Sequence, residues 1–209
     1  DGLSPDLGLV SYACKNEQIE KFVMLRPRDG DFTYDEMEIE QIKEAVKAYK
    51  KYPIDGFVFG AIKGDGHLDL NLLREIVGLA KPYPLVLHRA FDYSKDGDQV
   101  IGQLIDMGII RILTSGKKST ALEGIDMISH IQEKYGDKIE IMAGSGVDSC
   151  NIREIYEKTK ISNFHMSAKV KKESNITYKS DLEIPAKGKY VTSFDKVKEA
   201  REVLDKLGG

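Results

Sequence analysis

Pro84-Leu85-Val86-Leu87-His88-Arg89-Ala90-Phe91-Asp92 is the stretch that decides the fold class of this chain. A short apolar run ends abruptly in His, Arg and Asp, and a helical pattern follows. The layout recurs. Phe22-Val23-Met24-Leu25 leads into Arg26-Pro27-Arg28, and Ile109-Ile110-Arg111-Ile112-Leu113 into Thr114-Ser115-Gly116. Ile139-Glu140-Ile141-Met142 leads into Ala143-Gly144-Ser145-Gly146, and Asn163-Phe164-His165-Met166 into Ser167-Ala168-Lys169. Chemistry-capable groups therefore gather at one end of each strand, which in a parallel α/β protein is where sites are built.

Amphipathic stretches separate these runs. Met37, Ile42, Ala45, Val46 and Tyr49 recur near helical period over 34–51, and 56–59 is a further strand. Asp69 is placed to cap a helix over 70–80 that carries Leu72, Leu73, Ile76, Val77 and Ala80 on one face. Helical patterns follow near 99–107, 121–135 and 151–158, and a last one near 194–207 begins after Thr192-Ser193. Six strands alternating with helices argue for a parallel sheet with right-handed crossovers. An open sheet concentrates polar groups at a switch point, whereas here they end nearly every strand. The pattern therefore predicts an α/β fold of the (β/α)8 TIM-type barrel class, one domain over 1–209, two strands short of eight. Residues 1–18 cannot complete such a barrel unaided. The polar, lysine-rich 170–189 reads as an excursion or lid.

Composition narrows the function. The chain has 209 residues, 41% hydrophobic and 31% charged, with a net charge of −3. That balance gives no electrostatic case for nucleic acid or an anionic membrane. No apolar run approaches a membrane span, and nothing resembles a secretory signal. Cys14 and Cys150 lie far apart and match no metal-ligand spacing, so reduced thiols in a cytoplasmic protein are expected.

The strand-end motifs define the candidate site. His88 is suited to general acid/base work near neutral pH, and Arg89 to gripping a carboxylate or phosphate. The structural alternative is an Arg89–Asp92 ion pair that staples the loop. Arg26 and Arg28, held by Pro27, suggest an anion clamp with Asp31 orienting one of them. Ser115-Gly116 and Gly144-Ser145-Gly146 are small turns whose backbone N–H groups can approach an oxyanion. His165 and Ser167 extend the same ring. Together with Lys117 and Lys169 these residues predict a locally cationic mouth that favours a small anionic ligand. In that reading His88 or Asp92 moves the proton. His165, Met166, Met142 and Cys150 carry donors that Cu(I) accepts, but at no diagnostic spacing. His67 and His130 read as surface residues.

Taken together these segments resemble the CutC family. The matching stretches are Gly2-Leu3-Ser4-Pro5, Met24–Arg28 with Gly30-Asp31-Phe32, Gly56–Gly60, His88–Asp92, Arg111–Gly116, Ile141-Met142, Gly144, Gly146-Val147, Asn151, Phe164-His165 and Ser167-Ala168. The resemblance implies a cytoplasmic (β/α)8-type barrel that forms homo-oligomers and has a role in copper homeostasis, with Cu(I) as the implied cofactor. It also implies an opening strand, helix and second strand ahead of Gly2-Leu3-Ser4-Pro5, which carry the family's copper-associated cysteines. Neither Cys14 nor Cys150 matches those positions, so no metal ligand is assigned. The gap predicts further sequence upstream in the gene, or another chain covering two open sheet edges. Asp29, Lys117, Ala143, Ser145 and Met166 depart from the family pattern, and Met166 is expected to narrow the mouth. Two functions follow as expectations: a copper-homeostasis protein, or an enzyme of unassigned reaction on a small phosphate or carboxylate. A non-catalytic oligomeric scaffold is the third.

Overall fold

Six strands pair in the order in which the chain makes them: β1 (Phe22–Met24), β2 (Gly56–Phe59), β3 (Leu85–Leu87), β4 (Ile109–Thr114), β5 (Glu140–Gly144) and β6 (Asn163–His165). Every pairing is parallel. The computed structural model describes residues 2–176 and 188–207. Between the strands lie α2 (Glu36–Tyr49), α3 (Leu70–Ala80), the short α4 (Ala90–Tyr93), α5 (Ile101–Met107), α6 (Ile125–Tyr135) and α7 (Ile152–Thr159).

Strand order without a reversal keeps right-handed crossovers on one face of the sheet. Val23, Leu25, Phe57, Phe59, Leu85, Leu87, Ile112 and Ile141 point to that face and are buried with helix residues such as Ile42, Val46, Leu73, Ile76, Leu104, Ile128 and Ile155. Each fully buried Leu, Ile or Phe contributes about 1.5–3 kcal/mol by leaving water. Side chains alternate along a strand, so Phe22, Met24, Val58, Val86, Leu113 and Met142 face the other way and line a cavity of about 640 Å³. The fold is a curled half-barrel of six parallel strands. Among the described residues this sheet has six strands and not the eight of a closed barrel, and β1 and β6 are its two ends.

Three elements differ from the sequence expectation. Residues 1–18 contain a helix, α1 (Leu7–Asn16), which Asp6 caps by accepting from the Leu9 N–H at 3.0 Å. The preceding segment is tied to the top of β1: the Ser4 N–H donates to the Arg26 carbonyl, and the Arg26 N–H donates to Ser4 Oγ at 2.8 Å. The second difference lies in 170–189. Its described ends belong to an antiparallel hairpin, β7 (Lys169–Lys172) with β8 (Lys189–Thr192), and residues 177–187 lie outside the described residues. Alternating polar residues there pair as an exposed two-stranded ribbon, which lacks the apolar face a sequence reading looks for. The third is α4, a single turn directly after β3. As expected, α8 (Phe194–Leu207) follows Ser193, whose Oγ accepts from the Lys196 N–H. No helix among the described residues is long and apolar enough to cross a membrane.

One close approach fixes the β4–α6 connection. Gly116 has φ +65°, and a Cβ there would lie 2.1 Å from the Gly124 carbonyl oxygen; a Cβ on Gly124 would lie 1.9 Å from the Ser115 oxygen. Gly116→Ala is expected to cost about 2–4 kcal/mol, combining positive-φ strain with overpacking. Gly78→Ala, in the exposed interior of α3 with open space around the new methyl, is expected to gain about 0.5–1 kcal/mol. Urea unfolding of both variants measures the contrast, and equal midpoints would refute it.

Candidate functional site

The strand ends are built around Asp92. Its carboxylate is 3% exposed and pairs with Arg89 Nε at 2.9 Å. Oδ1 accepts from the Thr114 hydroxyl and from the Lys117 N–H at 3.1 Å, and Oδ2 accepts from the Ser115 N–H at 2.9 Å. Ser115 Oγ accepts from Arg89 Nη2 at 2.9 Å and donates to the Lys118 carbonyl at 2.6 Å. Lys117 runs back across Phe91, and its ammonium donates to the Phe91 and Ser94 carbonyls at 2.7 Å each. Burial pushes the Lys117 pKa down. The β4–α6 loop is thus clamped onto α4, and the loop-stapling alternative for Arg89–Asp92 is what the structure contains. Asp92, expected as a proton carrier, has its oxygens occupied by these fixed donors.

His88, expected as a general acid or base, is enclosed as well. It is 3% exposed, and its Nδ1 accepts from the Ala90 N–H at 3.0 Å, capping α4. Phe32 lies against the ring, with centroids 4.4 Å apart, and a Cβ on Gly60 would lie 2.7 Å from it. Desolvation, helped by the Arg26 charge, pushes the His88 pKa down to about 3. Enclosed in this way, the ring stays neutral and sealed at physiological pH.

The expected anion clamp is spent on its own loop. Arg28 pairs with Glu38 through Nε and donates to the Thr33 carbonyl at 2.6 Å, with Tyr34 beneath its guanidinium. Glu38 is also the reciprocal partner of Asp35 in the capping box of α2. The Thr33 hydroxyl and N–H, joined by Arg28, hold the Asp31 carboxyl below its usual range. Arg26 donates to the Gly30 carbonyl and covers the Phe32 ring at 4.8 Å. The glycine turns likewise join loop to loop. The Ser145 carbonyl accepts from the Ala121 N–H, Ser145 Oγ donates to the Ser119 carbonyl at 2.7 Å, and the Gly146 carbonyl accepts from Asn151 at 2.7 Å. Gly144 has no room for a side chain, because a Cβ would lie 2.5 Å from Leu113. At the start of α7 the Asp148 carboxylate already accepts from the Cys150 N–H, which occupies the place expected for a bound anion.

What remains open is the concave face. Met24, Val58, Val86, Leu113 and Met142 form its apolar wall, and His165, Ser167 and Lys169 its rim. Arg111 and Glu140 pair across adjacent strands, with Phe22 beneath the guanidinium. His165 makes no hydrogen bond or ion pair with the described residues, and desolvation lowers its pKa. Met166 lines a different pocket, beside Cys150, Ser167 and Lys196, so it does not narrow this mouth. Period-two alternation in β1 would have identified Met24 as a wall residue. His67 and His130 are exposed and pair with Asp96 and Asp98.

For a metal, the described residues hold no group of three or more His, Cys, Asp or Glu side chains suited to one ion. Cys14, near the β1 edge, approaches the Pro53 carbonyl, and Cys150 lies in the pocket beside α7. The two thiols do not share a pocket. Soft donors also line the concave face, where two thioethers and an imidazole with no hydrogen-bond partner among the described residues share one cavity.

A one-sided parallel β/α sheet curled around a cavity, with polar residues crowding its strand ends, defines a protein of the barrel class. The chain belongs to the CutC family, whose model matches residues 1–170. It is 37% identical over 179 residues to relatives from Mus musculus and Homo sapiens, each named copper homeostasis protein cutC homolog. Those alignments take in 86% of this chain, and the chain spans 66% of each relative's length. It also resembles the crystal structure of CutC from Streptococcus agalactiae, with TM-score 0.73 and 30% identity over 78% of this chain and 80% of that one.

Two substitutions test the clamp. Asp92→Asn places an amide against groups that donate and is expected to cost about 3 kcal/mol, as in breaking a buried pair; an unchanged urea midpoint would refute this. His88 gives a pH signature. Unfolded, it takes a proton near pH 6.5; folded, not until about pH 3. The unfolded state therefore binds more protons in that window, and stability falls as pH drops from 6.5 towards 3. The slope is up to about 1.4 kcal/mol per pH unit for one proton. His88→Asn, whose Oδ1 can accept from the Ala90 N–H, is expected to flatten the slope in urea titrations at pH 7, 6 and 5. An identical slope would show that another group carries it.

Proposed function

We propose that this chain acts in copper homeostasis in the cytoplasm, with Cu(I) as the species it handles. The observation that carries this reading is the family match over residues 1–170, which takes in all six strands of the sheet. The names of the mouse and human relatives supply the copper role. The open concave face supports binding rather than catalysis, because the groups suited to moving protons or gripping anions are already committed to holding loops. Two further strands bridging β6 to β1 would close the sheet into an eight-stranded barrel. Leu7, Leu9 and Tyr12, exposed on α1, support self-association into a homo-oligomer.

A host strain stripped of its own copper export tests the role. Expression of the chain is expected to raise the copper concentration that arrests growth by about twofold or more, the size of a modest shift in free-metal binding. Zinc tolerance is expected to stay unchanged. Equal copper sensitivity with and without the expressed chain, at matched protein levels, would overturn the role.

A further inference from the structure

We propose that Met142 and His165, joined by Met24 from β1, form a Cu(I) site on the concave face of the half-barrel. The proposal rests on the copper reading above and assigns it to particular side chains. On β5 and β6, Met142 pairs with Asn163 and Gly144 with His165. Met142 and His165 are therefore diagonal neighbours on one face, a spacing that long side chains span. Gly144, beside His165, contributes no side chain, and a Cβ there would meet Leu113 at 2.5 Å and the His165 Cβ at 3.5 Å. The space next to the imidazole thus stays open. Met24, Met142 and His165 all line the same cavity of about 640 Å³.

The chemistry of these donors selects the ion. Thioether sulfur and neutral imidazole suit Cu(I), whereas hard cations want carboxylate, carbonyl and water oxygens. His165 has no competing hydrogen bond or ion pair among the described residues, so the fold leaves its ring nitrogens free to ligate. Val58, Val86 and Leu113 wall the cavity with apolar surface. Arg111 and Glu140 neutralise one another at its floor, so the paired guanidinium does not oppose a monovalent cation. The rival donors are poorer. Cys14 and Cys150 line separate pockets, and Cys150 shares its own with Met166 but with no histidine.

Anaerobic competition for Cu(I) against bicinchoninate, with circular dichroism to confirm folding, tests the site on the chain as it stands. The parent is expected to retain a single Cu(I) whose X-ray absorption shows sulfur and nitrogen neighbours. Met142→Leu and His165→Gln should each weaken binding by about tenfold or more, the range for losing support at a metal site. Met24→Leu should weaken it less, and Cys14→Ser/Cys150→Ser should leave it unchanged. Loss of copper in the cysteine variant, with retention in Met142→Leu and His165→Gln, would overturn the site while leaving the copper role standing. Failure of the folded parent to bind Cu(I) would also overturn the site. The copper-tolerance measurement then decides the role separately, since it reads the role of the whole chain whichever residues hold the metal.

Discussion

The unbroken strand order is the constraint on which everything else in this structure depends. A right-handed crossover returns the chain to the next strand on a fixed side, and β1 to β6 follow one another without a reversal. All the crossover helices therefore belong to one face. A doubly wound sheet would cover the second face with helices and make Phe22, Met24, Val58, Val86 and Met142 ordinary core. Here the only way to shelter those side chains is for the sheet to curl towards itself, and the curl creates the cavity. Fold and candidate site are two consequences of the same topology.

The polar strand ends follow from a different requirement. Short βα connections carry backbone N–H groups close to the core, and each one left buried without a partner costs about 1–3 kcal/mol. Asp92 relieves two such groups, on Ser115 and Lys117, and His88 relieves that of Ala90. Lys117 satisfies the carbonyls at the end of α4 from the opposite direction. Arg89 then balances the carboxylate's charge, as Arg28 does for Glu38 at the start of α2. A carboxylate with several fixed donors serves as a strut between the loop and α4.

This explains which parts of the molecule were legible in the sequence. Period two and period 3.6 mark the six strands and most of the long helices within a residue or two, because core burial imposes those periods: the expected 70–80 helix is α3, capped by Asp69 as anticipated, whereas α6 begins at Ile125, four residues after the expected start. The α1 helix was hidden, since only Val10 in it is buried and it displays no apolar stripe. The β7–β8 hairpin was hidden for the same reason, its strands being exposed on most positions. At the strand ends, residue type revealed where polar chemistry gathers but not whether it was already spent. A loop clamp and a catalytic cluster recruit the same His, Arg and Asp.

The distinction that matters is between committed and uncommitted donors, and only coordinates supply it. His88 sits in the chain's most chemically suggestive motif, yet its Nδ1 caps a helix and its ring is sealed by Phe32. His165 sits in a plain stretch between Phe164 and Met166, on the cavity rim, with no hydrogen-bond or ion-pair partner among the described residues. A ligand must offer a lone pair that the fold does not already use. By that criterion His165 keeps a lone pair to offer among the described residues, and the thioethers of Met24 and Met142 line the same cavity, together with Glu20.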